Sequence, residues 1–134
     1  EYHNCENEPF PYASIQLYDA NGLCPFLSGD FVDPAWRQYP RRFTGRVYCR
    51  CSIPGNYLSE GTFRVLAVLS THTPVEVLAA ARDAVSFMIV DNSQGDGARG
   101  DFGGSFPGIV RPLLEWQMEV DTGRGRQTVL PKRT

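Results

Sequence analysis

The chain has 134 residues, a length suited to one domain with a single core. Hydrophobic residues at 42% and charged residues at 21% exclude a disordered chain. A formal net charge of −2 offers no general attraction to nucleic acid or to an anionic membrane, and no apolar run approaches the roughly 20 residues that span a bilayer.

Residues 1–11 read as an extension rich in Glu (Glu1, Glu6, Glu8). "YASIQLYD" (12–19) alternates, with Ala13, Ile15 and Leu17 on one face and Ser14, Gln16 and Tyr18 on the other, which predicts a strand. "ANGL" then turns the chain, because Asn-Gly supplies the positive φ that tight turns need. "GRVYCRCSI" (45–53) alternates more cleanly still. Val47, Cys49, Cys51 and Ile53 are predicted to face inward, and Arg46, Tyr48, Arg50 and Ser52 outward. Pro54 and Gly55 end it.

"TFRVLAVLS" (62–70) predicts a strand with Phe63, Val65, Ala67 and Leu69 on one side; the other side starts with Arg64 and continues with Leu66 and Val68. "PVEVLAAARD" (74–83) is ambiguous between strand and a short helix. "DAVSFMIVD" (83–91) and "LLEWQMEVD" (113–121) read as strands, the latter with Leu114, Trp116, Met118 and Val120 on one face. Residues 122–134, with Arg124, Arg126, Lys132 and Arg133, form a basic tail or an exchanged edge strand. Many strands, frequent turns and no long helix predict an all-β antiparallel sandwich or barrel over 12–121.

The four cysteines are Cys5, Cys24, Cys49 and Cys51. Two residues apart on a strand, Cys49 and Cys51 point the same way about 7 Å apart, too far for easy bridging. Three or four ligands at a familiar zinc spacing are not assembled with His3 and His72, so no metal is expected. Buried thiols acting as small apolar side chains are expected instead, which favours a reducing, cytoplasmic setting.

"DNSQGDGARGDFGGSFPG" (91–108) holds most of the candidate motifs. Gly95, Gly97 and Gly100 have GxGxxG spacing, but a dinucleotide fingerprint must open a helix, and "DFGGSFPGIVRP" cannot be one. A calcium loop lacks its closing Glu, and "RGD" at 99–101 is only a three-residue match to an adhesion motif. No GxSxG serine or local triad is present, so the chain is read as non-catalytic and without cofactor. What remains is a binding surface. Tyr18, Trp36, Tyr39, Tyr48 and Tyr57 fall outside the inferred core, and aromatic rings stack on the apolar faces of sugars. Tyr48 between Arg46 and Arg50, with Arg64 on the next strand, forms the candidate glycan contact set; an ordinary solvent-facing stripe is the plain alternative.

"CSIPGNYLSEGTFRV" (51–65) followed by "DAVSFMIVDNSQGDGARGDFGGSFPGIVRPLLEW" (83–116) resembles the C-terminal carbohydrate-binding domain of Wzt-type ATP-binding proteins. These are the nucleotide-binding subunits of ABC transporters that export O-antigen and related polysaccharides. Phe87, Val90 and Asp91, then Arg99 to Asp101, then Pro107, Gly108, Val110, Arg111, Pro112 and Trp116 carry the likeness, and "SIQLYDANGLCPFLSGD" (14–30) fits the same pattern. The resemblance covers roughly residues 12–118 and does not extend to an ATPase domain. It implies an immunoglobulin-like β-sandwich, paired as a homodimer with strand exchange, that holds a glycan chain before export. Its implied partners are a polysaccharide and an ABC-transporter membrane subunit or ATPase domain. Residues 1–11 replace the family's earlier strands poorly, which implies an edge strand missing or borrowed from a partner. Gly100, Asp101, Gly104, Pro107 and Gly108 are then chiefly architectural. The alternative is a sandwich that serves protein assembly without binding sugar.

Overall fold

The computed structural model describes residues 1–4, 11–34, 44–92 and 94–129. Cys5, Glu6, Glu8, Trp36, Tyr39, Lys132 and Arg133 lie outside the described residues.

Among the described residues the fold is all strand and loop, with antiparallel sheets and no α-helix. The strands are β1 (Tyr2–Asn4), β2 (Tyr12–Asp19), β3 (Phe26–Gly29), β4 (Gly45–Val47), β5 (Gly61–His72), β6 (Val75–Ile89), β7 (Met118–Asp121) and β8 (Arg126–Val129). A 3-10 turn, Asp30–Val32, follows β3. One four-stranded sheet runs β3-β2-β5-β6, and two ribbons pair β1 with β4 and β7 with β8.

The turn after β2 is made by Asp19, whose carboxylate accepts from the Asn21 N–H at 2.9 Å and the Leu23 N–H at 2.8 Å. An Asp held this way by following amides is a standard loop opener. It leaves Gly22 at φ +82°, where a side chain would be strained. On β2 the alternation holds: Leu17 is fully buried, while Tyr18 hydrogen-bonds Gln16 at 2.6 Å on the other face.

The core sits at one end of the sheet. Leu17 lies opposite Phe26 on one side and Val65 on the other, and Phe63 stacks on Phe87 with ring centroids 5.8 Å apart. Leu58 closes over them with Ile53 and Ile109. The covering chain is tied by two backbone bonds, Ser59 N–H to the Ile109 carbonyl and Arg111 N–H to the Tyr57 carbonyl, both 2.8 Å.

Several strand expectations are corrected. The ambiguous 74–83 segment is strand and continuous with 83–89, so β6 runs for 15 residues. A register shift between Val65 and Ala67 marks a bulge opposite them, and Asp83 there takes φ +51°. Of the strand expected at 45–53, only Gly45–Val47 is strand, paired with β1. Past it, Cys49 and Cys51 are exposed rather than buried, as is Cys24. The expectation of buried thiols is therefore wrong for the three described cysteines. Likewise only Met118–Asp121 of 113–121 is strand, and Trp116 is 84% exposed. Among the described residues β7 pairs with β8 alone.

Candidate functional site

A groove of about 800 Å³ opens on the same sheet face, beyond the core. Its floor follows from the register. Ile15, Ala67 and Ala81 lie side by side across three strands, as do Ala13, Leu69 and Ala79. Alanines leave the pleat uncovered, so the floor is shallow, apolar and wide enough for a flat ring. The chain from Val47 to Ser52, which includes Tyr48 and Arg50, also lines the groove, as do Ser28, Asp30 and Asp33.

Tyr48 is 69% exposed, so its ring serves no core contact. Of the four candidate glycan contacts, the groove brings together Tyr48 and Arg50. The other two lie elsewhere. Arg46 reaches across the β1–β4 ribbon toward Glu1, with Nε 3.7 Å from the carboxylate. Arg64 faces Asp83 across β5 and β6 at 3.6 Å. Including Arg46 assumed a strand with one outward face through Arg50, and that strand ends at Val47.

The Gly-rich stretch folds around its own arginine. Arg99 Nε donates to Asp91 at 3.1 Å, Nη2 to Glu60 at 2.8 Å, and Nη1 to the Gly104 carbonyl at 2.8 Å. Arg111, buried, adds bonds from Nη1 to Glu60 and from Nη2 to the Phe106 carbonyl, the latter 2.9 Å. The Phe106 ring lies 5.0 Å from the Arg111 guanidinium carbon and 5.4 Å from that of Arg99. Arg99 therefore points into the loop, which removes "RGD" as a displayed adhesion motif. Its side chain is only 15% exposed.

Gly100 sits at φ +58°, in the turn closed by the Gly100 N–H bond to the Gly97 carbonyl at 3.0 Å. Gly104 is different: a Cβ there would lie 2.5 Å from the tip of the Phe102 ring. Asp101 is exposed beside this turn, and Pro107 and Gly108 lead from Phe106 back to the bonded segment at Ile109. The Glu60 carboxyl is held below its ordinary value of 4.5, chiefly by the Arg111 hydrogen bond, then by its own backbone N–H. The charges of Arg111 and Arg99 act in the same direction, and desolvation opposes them.

Sequence reasoning gave Glu60 no role, taking it for a solvated strand or turn position. Its partners lie 39 and 51 residues away, and no periodicity links them. No group of three or more His, Cys, Asp or Glu suited to a metal ion occurs among the described residues. Comparisons with protein-family models, with curated proteins and with solved structures each found no match.

Proposed function

We propose that the protein is a non-catalytic carbohydrate-binding domain that holds a polysaccharide chain of the O-antigen kind for export by an ABC transporter. The groove carries this reading. An alanine floor accepts the apolar face of a sugar ring, Tyr48 can stack there, and Arg50 with Asp30 and Asp33 can bond hydroxyls. The resemblance of 51–65 and 83–116 to Wzt-type domains gives the substrate class. In this reading the four-stranded sheet is one layer of an immunoglobulin-like sandwich, and the domain works in the cytoplasm beside an ATPase or membrane subunit.

Pairing into a homodimer is part of the proposal. The 15-residue β6 forms one edge of the sheet, with Val75, Val85 and Met88 exposed. The same surface supports the second reading, an assembly module that binds protein and no sugar. Calorimetric titration with bacterial polysaccharide fragments separates the two. Heat of binding that disappears in Tyr48→Ala supports the groove; no binding to any fragment, with a protein partner co-purifying, favours the second reading.

A further inference from the structure

We propose that Cys49 and Cys51 form a redox-active thiol pair whose reversible disulfide resets the chain lining the groove. Arg50 alone separates them, and both are exposed and reduced. On a strand, two such thiols are held about 7 Å apart, just beyond what a disulfide usually spans. The structure removes that restraint. β4 ends at Val47, and neither cysteine lies on a strand. An irregular backbone can turn at Arg50 and bring the two Cα atoms within the roughly 4.4–6.8 Å that a disulfide needs.

Exposure and a neighbouring second thiol mark cysteines that oxidise reversibly. The co-reactant is a small disulfide such as oxidised glutathione. One thiolate of the pair attacks it, forming a mixed disulfide and releasing the first glutathione as a thiolate. The second thiolate attacks the protein sulfur of that mixed disulfide and expels the other glutathione. Two electrons pass from the cysteines to the reagent, and the two thiol protons end on the two glutathiones. A bridge this short and exposed is readily reduced again, which suits a switch rather than a permanent brace. Cys24 is the contrast. It is exposed too, but its Sγ donates to the Phe26 carbonyl at 3.4 Å and it does not line the groove.

Location gives the bridge its consequence. Residues Val47 to Ser52 line the groove without a break, so Tyr48 precedes the pair there and Arg50 divides it. Closing the disulfide folds the backbone tightly about Arg50 and moves Tyr48 with it. The effect on ligand rests on the glycan reading of the groove, whereas the bridge itself does not.

The test treats the reduced full chain with oxidised glutathione, then digests it with trypsin, which cuts after Arg46, Arg50 and Arg64. Peptides 47–50 and 51–64 are expected to stay joined until dithiothreitol is added, in protein that runs as a single chain on a non-reducing denaturing gel. Cys49→Ser and Cys51→Ser should each accumulate a glutathione adduct on the remaining thiol, and Cys24→Ser should bridge like the parent. Unreacted thiols, lasting adducts on both cysteines of the parent, or a bridge from either to Cys5 or Cys24 overturn the pair. Once the bridge has formed, the backbone amide signals of Tyr48 and Arg50 should shift. Calorimetry should then show a bacterial oligosaccharide bound roughly threefold to tenfold more weakly than by the reduced chain, the scale of a misplaced stacking ring. Amide signals that stay in place, or unchanged affinity in bridged protein, overturn the switch. A bridge with shifted amides and no oligosaccharide binding in either state upholds the pair and defeats the groove reading.

Discussion

Arg99 donates from Nη2 to Glu60 Oε1 at 2.8 Å, although 39 residues separate them. Glu60 stands immediately before β5, and Asp91 two residues after the end of β6, so pairing of Gly61 with Ile89 brings both carboxylates to one end of the sheet. Arg99 and Arg111 bind them from the loop and from the covering segment. The cluster thus fastens the loop to the sheet.

Arg111→Ala should therefore lower stability by about 1.5–3 kcal/mol, the range for losing charge-assisted hydrogen bonds. Denaturant unfolding measures this directly. Asp101→Ala, at an exposed position in the same loop, should leave the midpoint unchanged.

Acid should loosen the same region. A carboxyl whose folded pKa lies below its unfolded value adds stability above the unfolded pKa, and that stability is lost as pH falls through the folded one. For Glu60 the loss starts below about pH 4.5 and deepens with further acidification. Melting temperature followed from pH 7 to pH 3 should fall in this window. Glu60→Gln should show a smaller fall there, from a lower starting point at neutral pH.

The loop glycines should respond unequally. Gly100→Val forces a β-branched residue into the left-handed region and should cost at least about 1 kcal/mol; Gly100→Asn should be tolerated better. Gly104→Ala meets only the tip of Phe102, an exposed ring able to swing aside, so its cost should be smaller. Equal melting temperatures for Gly100→Val and the parent protein would refute this account of the loop.

Tyr48→Ala should weaken glycan binding roughly threefold to tenfold, the worth of one stacked ring, with the melting temperature unchanged. Arg64→Ala provides the contrast. Its partner is Asp83 and not the groove, so glycan affinity should stay at the parent value.

Sequence reading succeeded where a strand has neighbours on both sides. Leu17 and Phe63 alternate into a face that β3, β2, β5 and β6 build together, and they are buried there. Residues 45–53 alternate just as well, yet the ladder ends at Val47, because periodicity records a tendency and a partner strand realises it. The same cause leaves Trp116 outside. Of the groove, Tyr48 and Arg50 were legible as outward residues, whereas the alanine floor depends on cross-strand register that no single segment encodes. The Glu60–Arg99–Arg111–Asp91 cluster is likewise a product of pairing between distant segments.

The bulge at Asp83 has a consequence for solubility. A flat strand of this length at a sheet margin is a template on which identical chains can polymerise. Here Arg82 and Asp83 put charge in the middle of β6, and the two extra residues opposite Leu66 bend it, so successive copies cannot stack in one continuous register. Straightening the strand, by deleting Arg82 and Asp83 so that Ala84 alone lies opposite Leu66, should promote fibre formation.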